Sequence, residues 1–119
     1  MVVVYTANGD KSSRIIRKYL KENKVEYIEK DLGKVALEKK EIQYLLSKTD
    51  NGFEDLISTR SKYLKENKID FNDLTMKEAI DIVSEHPTVL KRPILLTEKF
   101  FKIGYDQEEF EDFKKRYVS

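Results

Sequence analysis

The sequence predicts an α/β fold on a small mixed four-stranded sheet, in the order β-α-β, a helical block, then β-β-α. Three observations carry this. The β-branched run VVVY (Val2 to Tyr5) precedes a helical apolar face made by Ile15, Ile16, Tyr19 and Leu20, and VEYIEKDL (Val25 to Leu32) then reads as a second strand. Residues 34–87 change to helical spacing. PILLT (Pro93 to Thr97) and KFFKIGY (Lys99 to Tyr105) restore the strand signal as a hairpin ahead of a last helix.

Each element has a local reason. The first helix, 11–22, is expected to start from Asp10 or Ser12 as N-cap and to stop near Asn23, a residue that tolerates the left-handed C′ conformation. Strand, crossover helix and strand over 2–30 should form a right-handed parallel unit. EKKEIQYLLSKT (Glu38 to Thr49) places Ile42, Leu45 and Leu46 at helical spacing, closed by the turn residues Asp50-Asn51-Gly52. A short helix is expected over 60–67. In TMKEAIDIVSEH (Thr75 to His86), Thr75 and Glu78 form a capping box, Ala79, Ile80, Ile82 and Val83 make the apolar face, and Pro87 ends the helix. The last helix, 106–116, begins acidic (Asp106, Glu108, Glu109) and ends basic (Lys114, Lys115, Arg116), as the macrodipole favours.

Composition bounds the chemistry. The chain of 119 residues is 39% hydrophobic and 38% charged, which suits one modest core under a densely charged surface. Lys+Arg 23 against Asp+Glu 22 gives +1, too small an excess for a domain held to nucleic acid mainly by phosphate neutralisation, although a local basic face is compatible with it. There is no cysteine, which excludes disulfides, thiolate nucleophiles and cysteine-ligated metals. The apolar start lacks a basic n-region, and no apolar run approaches the roughly 18 residues of a membrane span. A cytoplasmic protein with no membrane association and no cofactor is expected. His86, the single histidine, stands at a helix end before Pro87 and reads as structural. The cluster Glu108, Glu109, Glu111 and Asp112 reads as a solvated helix start.

KYLKENK occurs twice, at Lys18 to Lys24 and at Lys62 to Lys68. Two copies with unmatched flanks do not make a repeat architecture. Both stretches are expected to solve the same problem, an amphipathic helix end with an Asn cap and an extended return.

Four stretches, VYT with its following helix, DNGFEDLISTRSK (Asp50 to Lys62), HPTVLKRPILL (His86 to Leu96) and IGYDQEEF (Ile103 to Phe110), resemble the Spx/ArsC family of thioredoxin-fold proteins, across almost the whole chain. ISTRSK and KRPI are the specific pieces. The resemblance implies a thioredoxin-like core over 1–33 and 88–119, a helical insertion over 34–87, one domain in all, and a cis peptide before Pro93. ArsC-type members reduce arsenate with a cysteine at the first helix, helped by arginines that hold the oxyanion. Spx-type members are non-catalytic regulators. They bind the C-terminal domain of the RNA polymerase α subunit, and a CxxC at the same helix start serves as a thiol–disulfide switch.

Here that CxxC register falls on Asp10, Lys11, Ser12 and Ser13. Arsenate reduction needs a thiolate that forms and leaves as half of a disulfide, which neither Asp10 nor Ser13 supplies. The expected protein is therefore a non-catalytic, Spx-type regulator without a redox switch, monomeric and forming a one-to-one complex with the polymerase α domain. An oxyanion-binding pseudo-reductase is the alternative. Asp10 is expected to cap the first helix through the Ser12 or Ser13 amide, and an Asp10–Ser13 pair could also hold the loop. Arg60 and Arg92 match the family's anion-binding arginines, with Asp10 or the partner as their charge partner; a third arginine has no counterpart near Tyr105. Gly52 matches a glycine at the polymerase interface, and Lys62 lies on a basic helix placed for promoter DNA once polymerase is bound.

Overall fold

A computed structural model of the protein describes residues 2–104 and 107–117, apart from the side chains of residues 107, 109, 114, 116 and 117. The chain divides into two compact units, Met1–Asp31 with Arg92–Ser119, and Leu32–Lys91.

The first unit holds the sheet. Its strands are β1 (Val2–Thr6), β2 (Tyr27–Asp31), β3 (Ile94–Leu96) and β4 (Phe101–Ile103), in the order β2-β1-β3-β4. β1 runs parallel to β2, with Val2 opposite Tyr27, and antiparallel to β3, with Val4 opposite Leu95. β3 and β4 form the expected hairpin, with Leu95 opposite Lys102. Two helices complete the unit, α1 (Lys11–Glu22) and, after the insertion, the last helix of the chain (Gln107–Tyr117). Val2, Val4, Ile16, Leu20, Leu95, Phe110 and Phe113 form one buried cluster, so alternate residues of β1 and one stripe of α1 face the same core. The Tyr19 ring meets Phe110 edge-on at 5.3 Å, and its hydroxyl donates to the Phe110 carbonyl at 2.9 Å.

The end of α1 differs from expectation in one respect. Asn23 is the helix cap at φ −92°, and Lys24 takes the left-handed conformation at φ 55°. The Asn23 side chain is engaged, its Nδ2 donating to the Tyr19 carbonyl at 2.8 Å. Val25 N–H reaches back to the Leu20 carbonyl at 2.9 Å, closing a Schellman turn, so β2 starts at Tyr27 and not at Val25. Tyr105 and Asp106, expected to end β4 and begin the last helix, lie outside the described residues.

The insertion carries α2 (Lys39–Ser47), α3 (Phe53–Leu56), α4 (Lys62–Glu66) and α5 (Met76–Glu85), so the last helix of the chain is α6. Single 3-10 turns cover Phe71–Asp73 and Pro87–Val89. α3 and the 3-10 turns are too short to print a helical period on the sequence. The capping box of α5 is present as expected, with Glu78 N–H to Thr75 Oγ1 at 3.1 Å and Thr75 N–H to Glu78 Oε1 at 2.9 Å. The short helix expected over 60–67 is trimmed to α4 because Ser61 caps it, accepting from Leu64 N–H at 3.3 Å. α2 packs on α5, and Ser84 at the end of α5 donates to the Leu37 carbonyl at 2.7 Å.

The duplicated heptapeptide makes the same structure twice. Asn67 Nδ2 donates to the Tyr63 carbonyl at 2.9 Å, Lys68 sits at φ 53°, and Ile69 N–H reaches the Leu64 carbonyl at 2.9 Å. These bonds match those of Asn23, Lys24 and Val25. KYLKENK is a helix-ending module, used once in each unit.

Candidate functional site

The loop between β1 and α1 carries Asp10 and Ser13, the residues at the expected CxxC register. It leaves the sheet at Thr6, turns through Asn8 and Gly9 (φ 88°), and closes with Asp10 N–H on the Ala7 carbonyl at 3.1 Å. Asp10 then has an extended backbone, and its carbonyl accepts Arg14 N–H at 3.1 Å as the first bond of α1. By backbone, Asp10 is the N-cap.

Its side chain does something else. No helix amide donates to the Asp10 carboxylate; it is bound by Arg92, with Nε to Oδ2 at 2.6 Å and Nη2 to Oδ1 at 3.5 Å. The expected side-chain cap is therefore absent, the carboxylate being turned to the Arg92 guanidinium, a charge-assisted partner. Arg92 pairs with Asp10, one of the charge partners expected for it. The two side chains are only 23% and 32% exposed, which weakens screening by water. Arg92 is placed by a cis peptide to Pro93, the bond expected here, and the Pro93 carbonyl accepts Gly104 N–H at 2.7 Å, fastening the segment to the end of β4.

Ser13 is fully buried and does not pair with Asp10. Its hydroxyl accepts Ala7 N–H at 3.2 Å, so it ties the loop's first residue to α1. A second network, not anticipated from sequence, fixes the loop's other flank. The buried Thr6 hydroxyl donates to Glu29 Oε2 at 2.7 Å, Arg17 Nε donates to the same oxygen at 2.7 Å, and Arg17 Nη2 reaches Thr6 Oγ1 at 3.3 Å. The sequence signal was available in principle, since parallel pairing sets Thr6 opposite Asp31, beside Glu29 on β2.

The remaining site residues lie in the insertion. Gly52 caps α3 at φ 65°, ψ −134°, a conformation open essentially to glycine alone. The turn is held from inside: Asp55 accepts Asp50 N–H at 3.1 Å, Asn51 N–H at 2.9 Å and Asn51 Nδ2 at 3.2 Å, while Gly52 N–H donates to Thr49 Oγ1 at 2.9 Å. The bonds from Asn51, backbone first and side chain second, hold the Asp55 carboxyl below the ordinary aspartate range. A Cβ built on Gly52 meets nothing within 4 Å, so the turn presents open space to an approaching surface.

Arg60 is exposed and its guanidinium makes no ion pair among the described residues. Lys62 opens α4, is 88% exposed, and has Glu66 Oε1 at 3.7 Å as a weak neighbour. Both follow a short antiparallel pairing in which Ser58 N–H donates to the Val89 carbonyl at 2.8 Å and Lys91 N–H to the Leu56 carbonyl at 2.7 Å. That pairing joins the ISTRSK stretch to HPTVLK inside the insertion. His86 stacks on Tyr63 at 3.9 Å and 19°. Among the described residues no group of acidic and histidine side chains could hold a metal, and no helix is long and apolar enough to cross a membrane.

A mixed sheet with one parallel pair, an antiparallel hairpin opened by a cis-proline, and a helical insertion before that hairpin defines a thioredoxin-like α/β protein. The chain belongs to the ArsC family, whose model matches residues 8–113. It is 36% identical over 118 residues to the global transcriptional regulator Spx 2 of Lactococcus lactis subsp. lactis (strain IL1403), covering 99% of this chain and 89% of that protein. It is 32% identical over 116 residues to the global transcriptional regulator Spx of Streptococcus pneumoniae (strain R6), covering 98% and 87%. Among solved structures, a possible arsenate reductase from Streptococcus mutans UA159 has TM-score 0.79 at 20% identity, covering 93% of this chain and 98% of that one. The arsenate reductase from Vibrio cholerae has TM-score 0.78 at 18% identity, covering 93% and 95%. At these identities the solved structures establish the fold alone.

Proposed function

We propose that the protein is a non-catalytic transcription regulator that binds the C-terminal domain of the RNA polymerase α subunit in the cytoplasm and carries no redox switch of its own. The observation that carries the reading is likeness along nearly the whole chain, 32–36% identity over 98–99% of it, to proteins named global transcriptional regulator Spx. Two features of this chain refine it. With no cysteine, the loop has no thiol to oxidise, and the Asp10–Arg92 pair supplies a fixed link between α1 and the cis-proline segment instead. Gly52 then forms a bare turn for close approach, while Arg60 and Lys62 offer exposed positive charge for promoter DNA once polymerase is engaged.

Retention of an oxyanion pocket is the weaker reading, because Arg92, the residue it needs, already holds an internal carboxylate. A calorimetric titration of the protein with the isolated polymerase α C-terminal domain tests the proposal. Saturable one-to-one binding supports it; no heat at about 50 µM of each partner removes it.

A further inference from the structure

α1 carries a charge pattern that neither its own stability nor the proposed polymerase contact requires. From Lys11 to Lys24 the chain has six cations and one acid, Glu22, although the whole molecule is only +1. At 100° per residue, Lys11, Arg14, Lys18 and Lys21 fall within an arc of about 80° on the helix. All four are exposed, on the side opposite the buried Ser13, Ile16 and Leu20. Arg17 stands at the flank of this stripe and is committed to Glu29. Lys11, Arg14 and Lys21 make no ion pair among the described residues, and Lys18 has Glu22 at 3.9 Å.

At its N-terminal end this arrangement works against the helix, whereas Lys21 in the last turn suits the macrodipole. α2 and α5 carry an acid in their first turn, whereas α1 has none there and begins with Lys11. Cations at a helix N-terminus oppose the macrodipole, and like charges three and four residues apart repel. Lys11 and Arg14 at the start of α1, continued by Lys18 and Lys21 along one exposed face, form a cation stripe with only Glu22 as a neighbouring ion-pair partner among the described residues, which points to a partner outside the molecule.

We infer that the exposed stripe Lys11, Arg14, Lys18 and Lys21, carried by α1 and not by the segment of Arg60 and Lys62, is a docking surface for the phosphate backbone of double-stranded DNA. Length and charge both fit. Ten residues of helix span about 15 Å, which matches about four successive phosphates of one strand. Three of its four cations are lysines, compact point charges suited to phosphate, so the stripe is assigned to positioning and affinity.

The test is fluorescence anisotropy of a labelled mixed-sequence duplex of about 20 base pairs, titrated with the whole chain from about 20 mM salt upwards. Binding should weaken with a log–log salt slope near −3.6, about 0.9 per phosphate. The quadruple variant K11Q/R14Q/K18Q/K21Q should bind at least tenfold more weakly with a slope near zero. A control removing the same charge from exposed lysines elsewhere, K34Q/K40Q/K77Q/K99Q, should keep the slope. Equal binding by both variants, or no binding by the unmodified chain at about 20 mM salt, would overturn the assignment. So would polyglutamate binding more tightly than the duplex, which would assign the stripe to an acidic protein. All four substitutions are on exposed helix positions, and circular dichroism confirms folding. The outcome is independent of the α-domain titration, which reports on the proposed function without DNA present.

Discussion

Arg92 Nε donates to Asp10 Oδ2 at 2.6 Å, joining the start of α1 to the residue before the cis-proline, 82 positions further along the chain. The carboxylate is at the backbone N-cap of α1 but gives its oxygens to the guanidinium and not to the helix amides.

That pair is measurable as a coupling. Asp10→Ala and Arg92→Ala should each destabilise the fold, and the double variant should cost less than their sum, giving a coupling energy of about 1 kcal/mol in urea unfolding. Additivity within about 0.3 kcal/mol would mean that the pair does not hold the loop.

The duplicated helix end yields a second expectation. Lys24 and Lys68 sit at φ 55° and 53°, where a side chain is strained and glycine is not. Lys24→Gly and Lys68→Gly should each stabilise the protein by about 0.5–1 kcal/mol, read as a rise in the urea midpoint at unchanged slope. Destabilisation by either would show that the lysine side chain contributes more than its strain costs.

These residues also show how much was legible beforehand. The order of elements along the chain, the hairpin, the capping box and the cis-proline followed from periodicity, turn chemistry and the family motifs, whereas the antiparallel pairing of β1 with β3 is set by the tertiary fold. The heptapeptide was legible as a helix end, but its left-handed position falls one residue later than the asparagine suggested, since Asn23 and Asn67 use their amides on the carbonyls four residues back. The partner of Asp10 was harder: an N-cap reading needs only local sequence, whereas Arg92 arrives through the tertiary fold. The Thr6–Arg17–Glu29 network was missed because a threonine ending a strand and a glutamate on a polar edge strand look individually ordinary.

Acid should loosen the Asp50–Gly52 turn. The Asp55 pKa is lowered from 3.8 in the folded state, so its contribution is present above that value and is lost as pH falls through the still lower folded value. The Asp50 and Asn51 amide resonances should titrate with a midpoint below 3.8, and the transition should vanish in Asp55→Ala. A midpoint at or above 3.8 would contradict the hydrogen bonding described.

Gly52 separates strain from recognition. Gly52→Ala meets no neighbouring atom within 4 Å, so its cost, about 1–3 kcal/mol, is backbone strain at φ 65° and ψ −134°. Gly52→Arg should match that stability loss yet weaken α-domain binding at least tenfold beyond Gly52→Ala. Equal affinities for the two variants would place the interface elsewhere.

The central claim, a polymerase-binding regulator freed from thiol control, is tested most directly by titrating the polymerase α C-terminal domain with this protein in two buffers, one with excess dithiothreitol and one with the thiol oxidant diamide. The account predicts one-to-one binding with the same dissociation constant in both, because no residue of the chain is a thiol. Absence of binding at about 50 µM, or an affinity that changes with the oxidant, would contradict it.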